Sequence, residues 1–139
     1  MKIFFDTSAF LKVLKKEKNY GKVVERLTEV SNGANIGYTD TIVVGEIVYA
    51  FLSQGLDDEA AKARTYMEGI PRLNIMETIP ASISHRGAEL KKRYFKRAEK
   101  KFFSLYDGMH LAIAEKHCDV FLTADSDFKD VTEIRIEFV

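Results

Sequence analysis

Residues Lys2–Leu14 read KIFFDTSAFLKVL. The first four form a short continuous apolar run, the pattern of a strand covered on both faces. From Ala9 the period changes, because Phe10, Leu11, Val13 and Leu14 recur at helical spacing and predict a helix over Ala9–Lys16. Asp6 stands at the change of period. A buried strand handed directly to a helix is the opening unit of an α/β chain.

The alternation continues downstream. Tyr20–Val30 predicts a helix with Val23, Val24, Leu27 and Val30 inward, and NIGY (Asn35–Tyr38) a short strand. Thr39–Thr41 supply cap-type residues, with Asp40 read as a helix cap, before the apolar helix TIVVGEIVYAFL (Thr41–Leu52). Asp57–Met67 predicts a further helix, ended near Gly69-Ile70-Pro71, and Leu73–Met76 a strand. Ser82–Lys101 reads as one long helix, with Leu90, Tyr94, Ala98 and Phe102 at intervals of four, which turns Tyr94 and Phe95 to the core. A helix over Asp107–His117, the strand DVFLTA (Asp119–Ala124) and a terminal alternating strand EIRIEFV (Glu133–Val139) complete the pattern. Strands separated by helices imply a three-layer α/β/α fold around a mostly parallel sheet.

The chain has 139 residues, 46% of them hydrophobic, which suits one compact core, so a single domain over 1–139 is expected. There is no repeat or linker, and the two prolines, Pro71 and Pro80, bracket a short segment. The lone Cys118 cannot form an internal disulfide, which points to a reducing compartment, the cytoplasm by default. The apolar run before Asp6 is too short for a secretory leader, and nowhere do about eighteen apolar residues run uninterrupted, so no membrane span is expected. With 21 basic and 21 acidic residues the net charge is zero, so a polyanion must be held by a local patch or through metal ions.

In a parallel sheet of this kind, ligand crevices form along the edge where strands end and helices begin. Asp6 ends the first strand, Asp125 follows the strand VFLT, and Asp107 opens a helix. Singly, each reads first as a cap or turn residue. Glu46 weighs against that reading: it is the one charged residue between Thr41 and Ser53, with no Lys or Arg three or four residues away, so unless it lies on a narrow exposed stripe its carboxylate must take a proton or meet a cation. Gly45 beside it leaves room for a backbone or an ion. If Asp6, Glu46, Asp107 and Asp125 share one crevice, hard carboxylate oxygens without thiolates suit Mg²⁺ or Mn²⁺. A hydrated ion there would activate water against a phosphodiester, with no Ser, Cys or His nucleophile required.

Four stretches carry a family resemblance: FDTSAF at Asp6, VVGEIVYAF at Glu46, YDGMHLAIA at Asp107 and LTADSDF at Asp125. In this order and spacing they resemble the acidic signature blocks of PIN-domain nucleases, in particular the VapC-type toxins of toxin–antitoxin pairs, over essentially the whole chain. The resemblance implies a five-stranded parallel sheet and a Mg²⁺- or Mn²⁺-dependent endoribonuclease acting on RNA. It makes Asp6, Glu46, Asp107 and Asp125 the catalytic, metal-binding acids and Asp127 a fifth acid used in some members. It makes Thr123 a support for its neighbouring carboxylate, a role Thr7 or Ser8 would share. It also implies a small antitoxin covering the crevice and a homodimer; an orphan PIN nuclease of RNA maturation or decay, or a non-catalytic PIN-fold binding module, fits the same residues.

His110, three residues after Asp107, could face the crevice as a support or substrate contact, but reads first as a packing residue; His85 and His117 suggest no chemistry. The run KKRYFKRAEKK (Lys91–Lys101) places Lys92, Arg93, Lys96, Arg97 and Lys100 on a basic helical face, read equally as an RNA-backbone contact or a solvated surface. Two other small α/β classes are set aside. A receiver domain needs paired acids and a late strand-end lysine, and a haloacid-dehalogenase-type phosphatase needs an aspartate where Ser8 stands.

Overall fold

The computed structural model describes residues 1–139. Five strands, β1 (Lys2–Phe5), β2 (Ile36–Asp40), β3 (Leu73–Met76), β4 (Val120–Thr123) and β5 (Arg135–Phe138), form one sheet in the order β3-β2-β1-β4-β5, every pairing parallel. The apolar run that opens the chain lies at its centre: Ile3, Phe4 and Phe5 are fully buried, and Phe4 stacks on Phe121 of β4 with ring centroids 5.3 Å apart. Between the strands run α1 (Thr7–Leu14), α2 (Tyr20–Ser31), α3 (Thr41–Leu52), α4 (Asp57–Glu68), α5 (Ala81–Tyr94) and α6 (Leu105–His117).

The sheet grows from β1 outward through β2 and β3, then returns past the centre to add β4 and β5 on the other side. Right-handed crossovers therefore lay α1–α4 on one face and α5–α6 on the other, with α6 against β1, β2 and β4. The winding reverses between β1 and β4, and the crevice beyond their C-terminal ends is where such sheets hold ligands. Asp6 and Asp125 follow those two strand ends. No helix is long and apolar enough to cross a membrane.

The long helix expected over Ser82–Lys101 stops at Tyr94. Lys96 and Lys101 instead pair backbone to backbone as an antiparallel bridge, two 3.1 Å hydrogen bonds closing a turn in which Lys100 is left-handed (φ 54°). Continuing the helix would crowd like charges at its end, whereas the turn delivers Phe103 to the core against Tyr94 (5.5 Å) and Phe128 (5.1 Å). Phe95 and Phe102 are consequently exposed, and the expectation that the four-residue spacing buries Phe95 and Phe102 is corrected. Lys92, Arg93, Lys96, Arg97 and Lys100 are correspondingly divided between the end of α5 and a loop, not aligned on one helical face. Arg93 is further bound to Glu133.

α6 begins at Leu105, two residues before the expected Asp107, because Ser104 caps it. It also packs backbone to backbone on α5: a Cβ at Gly108 would lie 2.1 Å from the Gly87 carbonyl oxygen, and one at Gly87 2.9 Å from the Met109 nitrogen. No side-chain rotation relieves a clash with a carbonyl. Gly108→Ala is expected to lower stability by about 1–3 kcal/mol, read as a fall in the urea midpoint, because the helices must separate to admit the methyl.

Candidate active site

Each of the four acids is fastened through one oxygen. Asp6, 3% exposed after β1, accepts hydrogen bonds at Oδ2 from Thr123 Oγ1 (2.8 Å) and Ser8 Oγ (2.9 Å). The two hydroxyls lie 3.0 Å apart; Ser8 Oγ also accepts from the Ala124 N–H and Thr123 Oγ1 from the Asp125 N–H, which ties the ends of β1 and β4 together. Asp107 accepts the Ser104 N–H at Oδ2 (2.8 Å) while Ser104 Oγ accepts the Asp107 N–H (3.0 Å), a reciprocal capping box at the start of α6. Asp125 accepts the Asp127 N–H at Oδ1 (2.8 Å). Glu46 accepts at Oε1 from Thr7 Oγ1 (2.8 Å) and from His110 Nε2 (2.7 Å). The second oxygen of each carboxylate has no side-chain partner, the disposition of groups held ready for a ligand.

Glu46 is less enclosed than its sequence neighbours suggest, with its side chain 31% exposed. A cavity of about 390 Å³ opens beside it, lined by Ile42, Gly45, Glu46, Tyr49 and Tyr106. Gly45 has no close neighbour, since a Cβ there would meet open space. The cation that answers Glu46 is a histidine from another helix. His110, fully buried, bonds Glu46 through Nε2 and Asp40 Oδ2 through Nδ1 (2.6 Å), so it does more than pack. Asp40 caps α3, accepting the Val43 N–H at Oδ1 (2.8 Å), as its place before the helix led us to expect. His85 is exposed on α5, and His117 lies against Tyr38 with ring centroids 6.2 Å apart.

The electrostatics record convergence. Burial raises the Asp6 carboxyl above its usual range, against the lowering pull of His110, Thr123, Ser8 and the Thr7 backbone. Burial also lifts Asp107 to about 6, assisted by the charge of Asp6 and resisted by the Ser104 backbone and by His110. Asp125 is raised by burial, against the hydrogen bond from the Asp127 backbone, and the charges of Asp127 and Asp6 add to the rise. Burial alone would depress His110, but its hydrogen bonds to Asp40 and Glu46 outweigh it and carry the imidazole up to about 10. Asp6 thus repels both Asp107 and Asp125, which places three of the acids within one field. Asp127 adds to that field from the turn after β4.

No three His, Cys, Asp or Glu side chains stand close enough to hold a metal ion as they are. The donor set nevertheless suits a hard divalent cation, because it consists of carboxylate oxygens, one without a side-chain partner on each acid, with no lysine or arginine bonded to them. Lys92, Lys96, Arg97 and Lys100 are exposed around the α5–α6 turn, apart from this set. Two residues escaped the sequence reading: Ser104, whose Ser-x-x-Asp spacing was a readable capping box, and Asp40 as partner of His110, seventy positions apart and legible only in three dimensions.

The PIN domain family model matches residues 3–134. Among solved structures, VapBC2 from Rickettsia felis bound to a promoter DNA fragment superposes with TM-score 0.73 at 16% identity, covering 99% of this chain and 98% of that one. VapC20 from Mycobacterium tuberculosis, described as a sarcin-ricin loop cleaving toxin, gives 0.69 at 18% identity over 96% and 98%. DNA-bound VapBC from Salmonella typhimurium gives 0.70 at 17% over 99% and 97%. No curated protein matches. At these identities the likeness is one of fold.

A raised carboxyl in the folded state means that folding takes up a proton, so its stability contribution is lost as pH rises from the ordinary value of 3.8 through about 6. In metal-free protein, Asp107→Asn is expected to raise stability at pH 7.5 by on the order of 1 kcal/mol, after allowing for solvent screening, with the gain vanishing near pH 4. Urea denaturation at the two pH values, in chelator, checks it.

Proposed function

The chain belongs to the PIN-domain family, and on that premise we propose that it is a divalent-metal-dependent endoribonuclease, the toxin of a toxin–antitoxin pair. The observation that carries this reading is the set of four acids, Asp6, Glu46, Asp107 and Asp125, each anchored by one oxygen with no side-chain partner on the other. Bound Mg²⁺ or Mn²⁺ would supply Lewis acidity toward a phosphoryl oxygen and acidify a coordinated water. Asp6, Asp107 and Asp125 would hold it, with Glu46 at the cavity side and Asp127 available as a fifth acid. Thr123, Ser8 and Thr7 act by holding Asp6 and Glu46 in place, so that little reorganisation is left for the reaction.

The α5–α6 turn is our candidate for the RNA strand. Lys92, Lys96, Arg97 and Lys100 are exposed there, and Phe95 (40% exposed) and Phe102 (60%) stand edge to face at 6.5 Å, with Lys91 over Phe95. Exposed rings among lysines suit unpaired bases, since stacking tolerates any sequence while the cations track the phosphates. Arg93 is excluded from that set by its bond to Glu133. A partner is supported by the apolar face of α3, where Tyr49 is 71% and Leu52 46% exposed, and by the toxin–antitoxin complexes among the neighbours; we assign an antitoxin and a second copy of the chain to such surfaces. We take residues 1–139 as one working unit, and the free Cys118 supports a cytoplasmic setting.

Purified protein should cut total cellular RNA with Mg²⁺ or Mn²⁺ and not in chelator. Asp6→Asn and Asp107→Asn should each lower cutting by roughly a hundredfold or more with unchanged circular dichroism, the scale of losing one electrostatic element of a site. Undiminished cleavage by either variant rejects the mechanism. Phe102→Ala should weaken single-stranded RNA binding about tenfold, measured by fluorescence anisotropy in chelator, and leave duplex binding unchanged.

A further inference from the structure

We propose that Asp40 and His110 form a buried clamp that aims Glu46, and that His110 is a positioning residue for metal binding; the proposal rests on the metal-dependent reading above. Both ring nitrogens of His110 lie against carboxylate oxygens, Nδ1 at 2.6 Å from Asp40 and Nε2 at 2.7 Å from Glu46. A neutral imidazole has a single N–H, so donating to two carboxylates takes the imidazolium. The Asp40 and His110 side chains are wholly buried, where a charge persists only if paired.

The clamp is rigid at its base. Asp40 uses Oδ1 to cap α3 and Oδ2 to hold His110, and the ring of His110 also lies 6.0 Å from that of Phe4 in β1. Glu46, by contrast, hangs at the mouth of a cavity with three rotatable bonds and a partly exposed head. Two donors on one oxygen, His110 Nε2 from α6 and Thr7 Oγ1 from α1, fix that head and leave Oε2 as the oxygen available to a ligand. A histidine needed only to fill the core would require one acceptor. This one bridges the carboxylate that caps α3 and the carboxylate of Glu46, and so transmits the position of the β2 end to Glu46.

The clamp also explains why a single acid can stand in so apolar a helix. Thr41–Leu52 has no basic residue to neutralise Glu46, and α6 supplies the countercharge from across the fold. The same cation bears on Asp6 and Asp107, so it moderates the repulsion among acids that have no lysine or arginine bonded to them.

The test is Mn²⁺ binding, measured by electron paramagnetic resonance, in Asp40→Asn/His110→Gln, in Glu46→Gln and in the triple variant. Asparagine caps a helix as well as aspartate, and the neutral pair leaves no unpaired buried charge, so the fold should survive, which circular dichroism checks. Expected is a loss of Mn²⁺ affinity of about tenfold or more when the double change is made with Glu46 present, the usual scale for a group that orients a ligand, and no further loss when it is made on top of Glu46→Gln. Unchanged affinity in the folded double variant, or the same loss with and without Glu46→Gln, overturns the clamp. If the double variant does not fold, Asp40→Asn alone carries the comparison, with several-fold weakening expected only beside Glu46 and equal affinity overturning it. Absence of Mn²⁺ binding by the unmodified protein would overturn the metal-dependent reading and the clamp with it, whereas binding that ignores Asp40 and His110 overturns the clamp alone.

Discussion

A carboxylate taken out of water must be answered by donors or by opposite charge, and that requirement organises the centre of this molecule. Asp6 is almost wholly buried and is answered by two hydroxyls, Ser8 and Thr123, that stand beside the ends of neighbouring strands. Asp40 is answered by an amide of its own helix and by His110. Asp107 is answered by the amide of its own cap residue. In each case the donor belongs to the scaffold, so the acids are held by the fold and not by one another.

The geometry of the sheet makes this possible. Because the winding reverses between β1 and β4, residues over a hundred positions apart end side by side, and Thr123 reaches Asp6 directly. α6 brings Asp107 and His110 to the same crevice from the opposite face. Its depth there is set by the two glycines at its contact with α5, where any side chain would hold the helices apart. The crevice is therefore defined by strand order and by a backbone contact, both indifferent to the acids themselves.

The elements were legible because their periods are strong. KIFF and VFLT read as strands, the helix after Asp40 begins where that cap stands, and the next helix begins at Asp57 as read. Legibility failed at Phe95–Phe103, where three aromatics compete for one core position: spacing favoured Phe102, but Phe103 wins because the chain turns at Lys100 and packs it between Tyr94 and Phe128. Local pattern does not weigh that long-range packing. Asp6, Asp107 and Asp125 could be singled out by their places at strand and helix ends, and Glu46 by its isolation in an apolar helix. The charge that answers Glu46 could not, because His110 pairs with Asp40 and Glu46 across the fold, and an apolar helix is silent about what crosses above it.

The strand made first is the strand the sheet closes around, since β1 pairs with β4 through Ile3 and Val120. On a ribosome adding about 5–20 residues per second, Ile3 waits on the order of ten seconds for that neighbour. A nascent fragment that already carries Asp6, Asp40 and Glu46 still lacks His110, Asp107 and Asp125. The acids thus come together only after β4 has been made, and a fragment that stops short of Asp125 cannot assemble them.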